Sequence, residues 1–302
     1  MYPWRPSWFC HPLSPTVIYR TRRPHQSGFT AGRSTVDAII ALRLLSELHR
    51  KFDRRLHVAY LGIKAAFDSV DRRALWKAMR NMGAPDIFLN LILALHENTG
   101  AQVRCGKNLS GRFQTTSGVR QCCILAPALF SVAIDWIMDH MSHKPGVDVG
   151  IRRFTDLVYA DDTTFFASSP SNAANCLSIF NCSSSTLGLR VSWAKTKIQN
   201  IGSGPQPPNI TIDGNAVEQI DNFVYQGSTL QSSVDGSQPD IKRRTALASS
   251  VMSSLQPIWS DRYLSLPTKV QVYQTLVLPV LIYAARHGHC QLQTRDAWRH
   301  SI

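Results

Sequence analysis

Apolar positions along the chain switch between a helical and a strand period. Val36, Ile39, Ile40, Leu44, Leu45 and Leu48 recur at helical spacing behind Ser34 and Thr35, which predicts a helix capped there. Leu56 to Ile63 is a short, mostly apolar run and reads as a buried strand. Asp71 can cap a second helix bearing Leu75, Trp76, Met79 and Met82 and stopped by Gly83 and Pro85; Ile87 to His96 is a third. Gln102–Cys105 and Gly111–Thr115 read as strands around a Gly/Asn/Ser turn, and Ala128–Met141 as an amphipathic helix behind Pro127. Thr155–Ala160 and Thr163–Ala167 form a hairpin pattern about Asp161 and Asp162, followed by short strands near Val191, Ile198, Ile210 and Phe223. Two helices are expected last, Lys242–Gln256 and Pro267–Ala285, the second bent or interrupted by Pro279. Residues 1–19 hold prolines and aromatics without a period and read as an irregular lead-in. No repeat and no strict βαβα alternation is present, which points to α+β.

Composition narrows the class of partner. The chain has 302 residues, with 33 Lys+Arg against 20 Asp+Glu and a net charge of +13, so a polyanion such as nucleic acid is the expected partner. No apolar run approaches the ~20 residues of a membrane helix, so no membrane partner is expected. Met1–Leu13 lacks the charged-then-apolar order of an export signal, which favours an intracellular protein, nuclear or cytoplasmic. The seven cysteines show no C-x-x-C spacing, so a metal ion is to be sought among carboxylates.

The hairpin Leu157-Val158-Tyr159-Ala160-Asp161-Asp162-Thr163-Thr164-Phe165-Phe166 sets two like charges at the tip of an apolar element. A divalent cation relieves that repulsion, since Mg²⁺ binds through one or two carboxylates plus substrate phosphates. Taken alone, the pattern is better explained by a solvated Asp-Asp turn, a common arrangement.

The hairpin does not stand alone. In order, the chain carries Gln26-Ser27-Gly28-Phe29 with Gly32-Arg33-Ser34-Thr35, Lys64-Ala65-Ala66-Phe67-Asp68, and Ser117-Gly118-Val119-Arg120-Gln121-Cys122-Cys123 running to Ala126-Pro127. Then follow Tyr159-Ala160-Asp161-Asp162, Gly188-Leu189-Arg190-Val191 with Lys195-Thr196-Lys197, and Phe223-Val224-Tyr225-Gln226-Gly227-Ser228. From about Arg20 to Tyr283 this series resembles the reverse transcriptase domain of non-LTR (LINE-type) retrotransposons. The resemblance implies a right-hand polymerase: an α+β palm of antiparallel sheet and helices, a helical thumb, and fingers largely truncated here. It divides the chain into a lead-in (1–19), partial fingers and palm (20–228), a thumb-like region (229–285) and a divergent tail (286–302). It implies RNA-directed DNA polymerase chemistry, a nucleotidyl transfer with two Mg²⁺ ions, an RNA template, a DNA primer and dNTPs.

Residue by residue, Asp161 and Asp162 match two of the family's three catalytic, metal-binding aspartates, and the Ile63 carbonyl matches its backbone ligand. The third aspartate belongs four residues before Ala66, where this chain has Gly62. The resemblance assigns nucleotide contacts to Phe67, Gln121, Lys195 and Arg33. It assigns a primer grip to Tyr225 and Gly227, and a duplex-facing thumb helix to Lys242-Arg243-Arg244. On the residues alone, Phe67 also fits a core position, Gln121 a polar loop, and Lys195, Arg33 and the basic helix a solvated surface. Cys122 stands where the family has glycine, Ala126 where it has serine, and Gln226 where it has an apolar residue. With Gly62, these departures predict an impaired enzyme. The alternative is a non-catalytic remnant that binds nucleic acid or serves as a helical interaction module.

Overall fold

The computed structural model describes residues 23, 25–30, 32–121, 123–141, 145–232 and 238–283. The expected lead-in, Cys122 and the 286–302 tail lie outside the described residues.

Helix α1 (Thr35–Lys51) buries Ala38, Ile39, Leu42, Leu45, Ser46 and His49 as one stripe. Leu44, expected on that face, is exposed, because it stands one residue (about 100° of helix) from Leu45. Strand β1 (His57–Leu61) is buried throughout and runs into β2 (Ile63–Lys64) and a single turn, α2 (Ala66–Ser69). Helix α3 (Arg72–Asn81) starts where Asp71 accepts the Ala74 N–H at 2.8 Å, and the chain leaves it through Gly83 at φ 84°. Helix α4 (Asp86–His96) follows. The two strands expected next are four two-residue pieces, β3 (Gly100–Ala101), β4 (Arg104–Cys105), β5 (Asn108–Leu109) and β6 (Phe113–Gln114), with β3 on β6 and β4 on β5. Helix α5 (Ala126–His140) is buried along most of its length.

A small hairpin, β7 (Val147–Val149) and β8 (Arg152–Phe154), precedes β9 (Asp156–Tyr159) and β10 (Asp162–Ala167). Helix α6 (Pro170–Ser185) was not anticipated from its Ser/Asn/Cys-rich sequence. Its signals are local: Ser169 accepts the Asn172 N–H at 3.2 Å, Pro170 opens the first turn, and Ala173, Cys176, Leu177 and Phe180 bury one face. Strands β11 (Arg190–Val191), β12 (Lys197–Asn200), β13 (Ile210–Ile212), β14 (Asn215–Gln219), β15 (Asn222–Tyr225) and β16 (Ser228–Gln231) lead to helices α7 (Gln238–Ser254), α8 (Gln256–Ser260) and α9 (Leu266–Val272). A π-helical turn, Tyr273–Val277, then joins α9 to α10 (Leu278–Leu281). The interruption expected at Pro279 takes this form: the Leu278 N–H reaches back to the Tyr273 carbonyl, next to the residue that has no N–H to give.

The main sheet has the order β13-β14-β12-β1-β10-β9. Side chains alternate across it, so Ala59, Leu61, Val158, Phe165 and Ala167 share one face. That face belongs to a core shared with α5 and α6, in which Phe165 meets Phe180 edge-on at 5.8 Å. Packing divides the chain into two units. One comprises the described residues up to Thr35 with Leu56–Gln199 and Pro207–Gln219; the other has Val36–Arg55, Asn200–Gln206 and the described residues from Ile220 onward. No helix among the described residues is long and apolar enough to cross a membrane.

Candidate active site

The carboxylate hairpin lies in the first unit. Pairing of Asp162 with Tyr159 leaves a two-residue turn, Ala160-Asp161, with Ala160 at φ 56°. Both aspartates are exposed at the end of an otherwise buried strand pair. Leu61 ends β1 paired with Thr163, and the same register carried one step past the strand would set Gly62 opposite Asp162. Strand alternation directs a side chain at position 62 to the same face as Asp162. The space it needs is taken. The Gly62 carbonyl accepts the Ser192 N–H at 2.8 Å, its N–H reaches Thr196 Oγ1 at 3.3 Å, and a Cβ placed on it would lie 2.5 Å from Lys195 Cβ. Ile63, the expected backbone ligand, pairs with Val191.

A clamp on this turn comes from far away in sequence. Buried Gln26 forms a parallel bridge with Val158, and its Oε1 accepts the Gly28 N–H at 2.9 Å and the Ala160 N–H at 3.3 Å. Gly28 lies so close to Ala160 that a Cβ would come within 2.2 Å of its nitrogen. Farther down β9, fully buried Asp156 accepts two hydrogen bonds from Arg23, at 2.9 and 3.1 Å. Burial disfavours the Arg23 charge, but Asp156, Asp139 and Asp135 together outweigh it and leave the guanidinium pKa raised. Gln26 itself stood in the sequence only as part of a series, without a role.

Two of the expected nucleotide contacts, Phe67 and Gln121, meet at the α2 turn. Phe67 is half-buried and stacks on Phe130 with ring centroids 4.5 Å apart. Its carbonyl accepts the Val119 N–H at 2.8 Å, and Gln121 Nε2 bridges both carboxylate oxygens of Asp68 at 2.8 and 2.9 Å. Arg33 is exposed, and its N–H donates to the Thr30 carbonyl at 3.1 Å.

In the second unit, β15 and β16 meet in a turn at Gln226 and Gly227, both at positive φ (47° and 77°). Such a turn is natural for glycine and strained for glutamine. Tyr225, just before it, is buried. Arg243 and Arg244 of α7 both donate to the Gly227 carbonyl, and the Tyr283 hydroxyl donates to that of Gln226 at 3.1 Å. Asp240 accepts the Thr229 N–H at 2.9 Å and pairs with Arg43 at 2.6 Å. Arg244 also lies over the Tyr283 ring at 4.3 Å, and burial lowers its pKa. The expected duplex-facing run is therefore corrected in part: Lys242 is exposed, while Arg243 and Arg244 are committed to the turn.

The family model for reverse transcriptase (RNA-dependent DNA polymerase) matches residues 9–230. The chain belongs to the reverse transcriptase family. Its relatives identify the branch as that of non-LTR retrotransposons. It is 29% identical over 145 residues to a Pol polyprotein from the type-2 retrotransposable element R2DM of Drosophila melanogaster, covering 48% of this chain and 14% of the relative. It is 26% identical over 235 residues to the RNA-directed DNA polymerase of the mobile element jockey, also of Drosophila melanogaster, covering 74% and 25%. The chain thus spans a quarter or less of the length of these two relatives. In fold it is similar to apo telomerase from Candida tropicalis, with a TM-score of 0.52 at 12% identity, covering 72% of this chain and 42% of that one.

Reverse transcriptases normally use divalent metal ions. Among the described residues, no three His, Cys, Asp or Glu side chains are grouped so as to hold one. Asp161 and Asp162 are an adjacent pair, and position 62 adds no carboxylate. This donor set does not fit a two-ion site.

Proposed function

We propose that this chain is a reverse transcriptase palm and thumb that binds an RNA template and a DNA primer but is strongly impaired in nucleotidyl transfer. The observation that carries this reading is Gly62, the residue after Leu61, which pairs with Thr163 beside Asp162; a third carboxylate there would share the load. Losing one member of a catalytic unit costs on the order of 10⁴-fold in rate. The donors offered to Mg²⁺ are Asp161, Asp162 and the Ile63 carbonyl, one full charge short of the family's pair of ions. Phe67, seated on Phe130, suits a steric check on the sugar of a dNTP, and Gln121, Lys195 and Arg33 suit contacts to its base or phosphates. Tyr225 and Gly227, on a rigidly held turn, suit a primer grip.

Primer extension on an RNA template with Mg²⁺ tests the reading. The native chain is expected to give no extension above background while retaining template–primer binding. Gly62→Asp alone is expected to restore little, because its Cβ meets Lys195 Cβ; Gly62→Asp/Lys195→Gly opens that space. Extension by the native chain that Asp161→Asn abolishes would overturn the proposal.

A further inference from the structure

The ribbon β3–β6 belongs neither to the carboxylate hairpin nor to the core. Every residue from Gln102 to Gln114 is exposed, an unusual condition for a paired element carrying Val103, Leu109 and Phe113. The run carries Arg104, Lys107 and Arg112, and no Asp or Glu occurs anywhere between Glu97 and Asp135. Pairing of Cys105 with Asn108 puts Lys107 in the two-residue turn at the tip. Arg104 lies directly across from Leu109, and Ala101 across from Phe113, so cation and apolar surface sit side by side along the arm.

The root of the ribbon is built, not loose. Thr115 N–H donates to the Thr99 carbonyl at 2.8 Å and the two hydroxyls meet at 2.9 Å. Arg72 reaches across from α3 to donate to Thr99 Oγ1 at 2.9 Å, the Thr115 carbonyl at 2.9 Å and the Gly118 carbonyl at 2.8 Å. These partners are neutral, and desolvation together with nearby Arg120 lowers the Arg72 pKa. Arg72 places a further cation at the root, on neutral acceptors. Gly118, held by Arg72, lies three residues before Gln121 in the loop packed on Phe67, which ties the arm to the candidate nucleotide site.

We infer that this ribbon is a nucleic-acid-binding arm that holds the unpaired template strand: Arg104, Lys107 and Arg112 meet its phosphates, and Phe113, Leu109 and Val103 receive its bases. Unpaired strands are held by cations tracking the backbone and by aromatic rings on which any base stacks, the part Phe113 takes here with Leu109 and Val103 adding apolar surface. Three cations with no acidic residue among them favour a polyanion over a protein surface, and the exposed apolar groups favour single strands, whose bases are open to contact. The inference rests on the template-binding reading above and names a surface for it.

Fluorescence anisotropy with a labelled single-stranded RNA and a blunt duplex, across a salt series, tests it. Arg104→Glu/Lys107→Glu is compared with Arg73→Glu/Lys77→Glu, an equal charge change on exposed residues of α3. The ribbon pair is expected to weaken single-strand binding at least tenfold, to lower the slope of log K against log salt by about 1.4, and to exceed the α3 pair. Phe113→Ala is expected to weaken single-strand binding several-fold and leave duplex binding unchanged. Equal losses from the two charge-reversal pairs, or a Phe113→Ala variant that binds like the parent, would overturn the arm. A parent chain that binds neither probe would instead overturn the template-binding reading beneath it.

Discussion

Two tight hairpin turns in this molecule are held in opposite ways. The β9–β10 turn is clamped by neutral amide chemistry, Gln26 Oε1 on the Ala160 N–H, and its charges, Asp161 and Asp162, face outward. The β15–β16 turn is clamped by charge: Arg243 and Arg244 grip the Gly227 carbonyl, and Asp240 ties Arg43 to the Thr229 N–H. The first turn keeps its carboxylates exposed and holds its backbone with an uncharged amide; the second uses partly buried ions to hold its own backbone. A net charge of +13 is therefore not a measure of nucleic-acid affinity, because part of it is internal.

The sharpest test of that contrast removes one carboxylate from each turn. Asp240→Ala leaves Arg43 and Arg244 facing each other without their shared anion, and breaking a buried pair costs about 3–5 kcal/mol. Urea unfolding is expected to show a loss of that size. Asp161→Asn, at the other turn, is expected to leave the unfolding midpoint where it is. Equal losses at both sites would dissolve the distinction.

The clamp on the first turn is the next target. Gln26→Ala leaves the Ala160 and Gly28 N–H groups without their acceptor, at about 1–3 kcal/mol for each buried group left unsatisfied. Hydrogen exchange at Val158 to Phe166 is expected to quicken, with slower-exchanging amides of α5 unaffected. Uniform acceleration across both elements would make Gln26 an ordinary core residue and not a local clamp.

These contrasts set the limit of what sequence reading reaches. Helix α3 is legible because each of its signals is local: Asp71 before it, Leu75, Trp76 and Met79 on one face, Gly83 after it. The carboxylate hairpin is legible because alternation and two adjacent charges fall within ten residues. Helix α6 is harder, since its polar serines and asparagines blur the periodic contrast, and only Ser169-Pro170 marks its start. The Gln26 clamp is invisible to any local pattern because its acceptor and donor are 134 positions apart. Arg243 and Arg244 show the same limit from the other side. A basic run announces charge, but the carbonyl that takes it up belongs to a turn assembled sixteen and seventeen positions earlier.

A smaller effect extends the contrast to the ribbon root, where a neutral group is kept neutral by its surroundings. His96 is buried edge-on against Trp76 at 5.2 Å, donates Nδ1–H to the Ile92 carbonyl at 2.9 Å, and among the described residues has no partner for Nε2. Burial pushes its pKa below the ordinary value of about 6.5, and Arg72 and Arg120 push the same way against the Ile92 carbonyl. The unfolded chain then binds a proton that the folded chain refuses. Stability is full above pH ~6.5 and falls as the pH drops through that value toward the depressed one, by at most about 1.4 kcal/mol per pH unit. His96→Phe keeps a ring against Trp76 and removes the titration, so its stability is expected to fall less than the parent's between pH 7.5 and 5.5. His49, buried in α1 and likewise lowered by burial, supplies a residual slope to both chains. Identical pH dependence in the parent and His96→Phe would mean that the ring is protonated without resistance, and that the cationic root of the ribbon exerts no force on its nearest buried base.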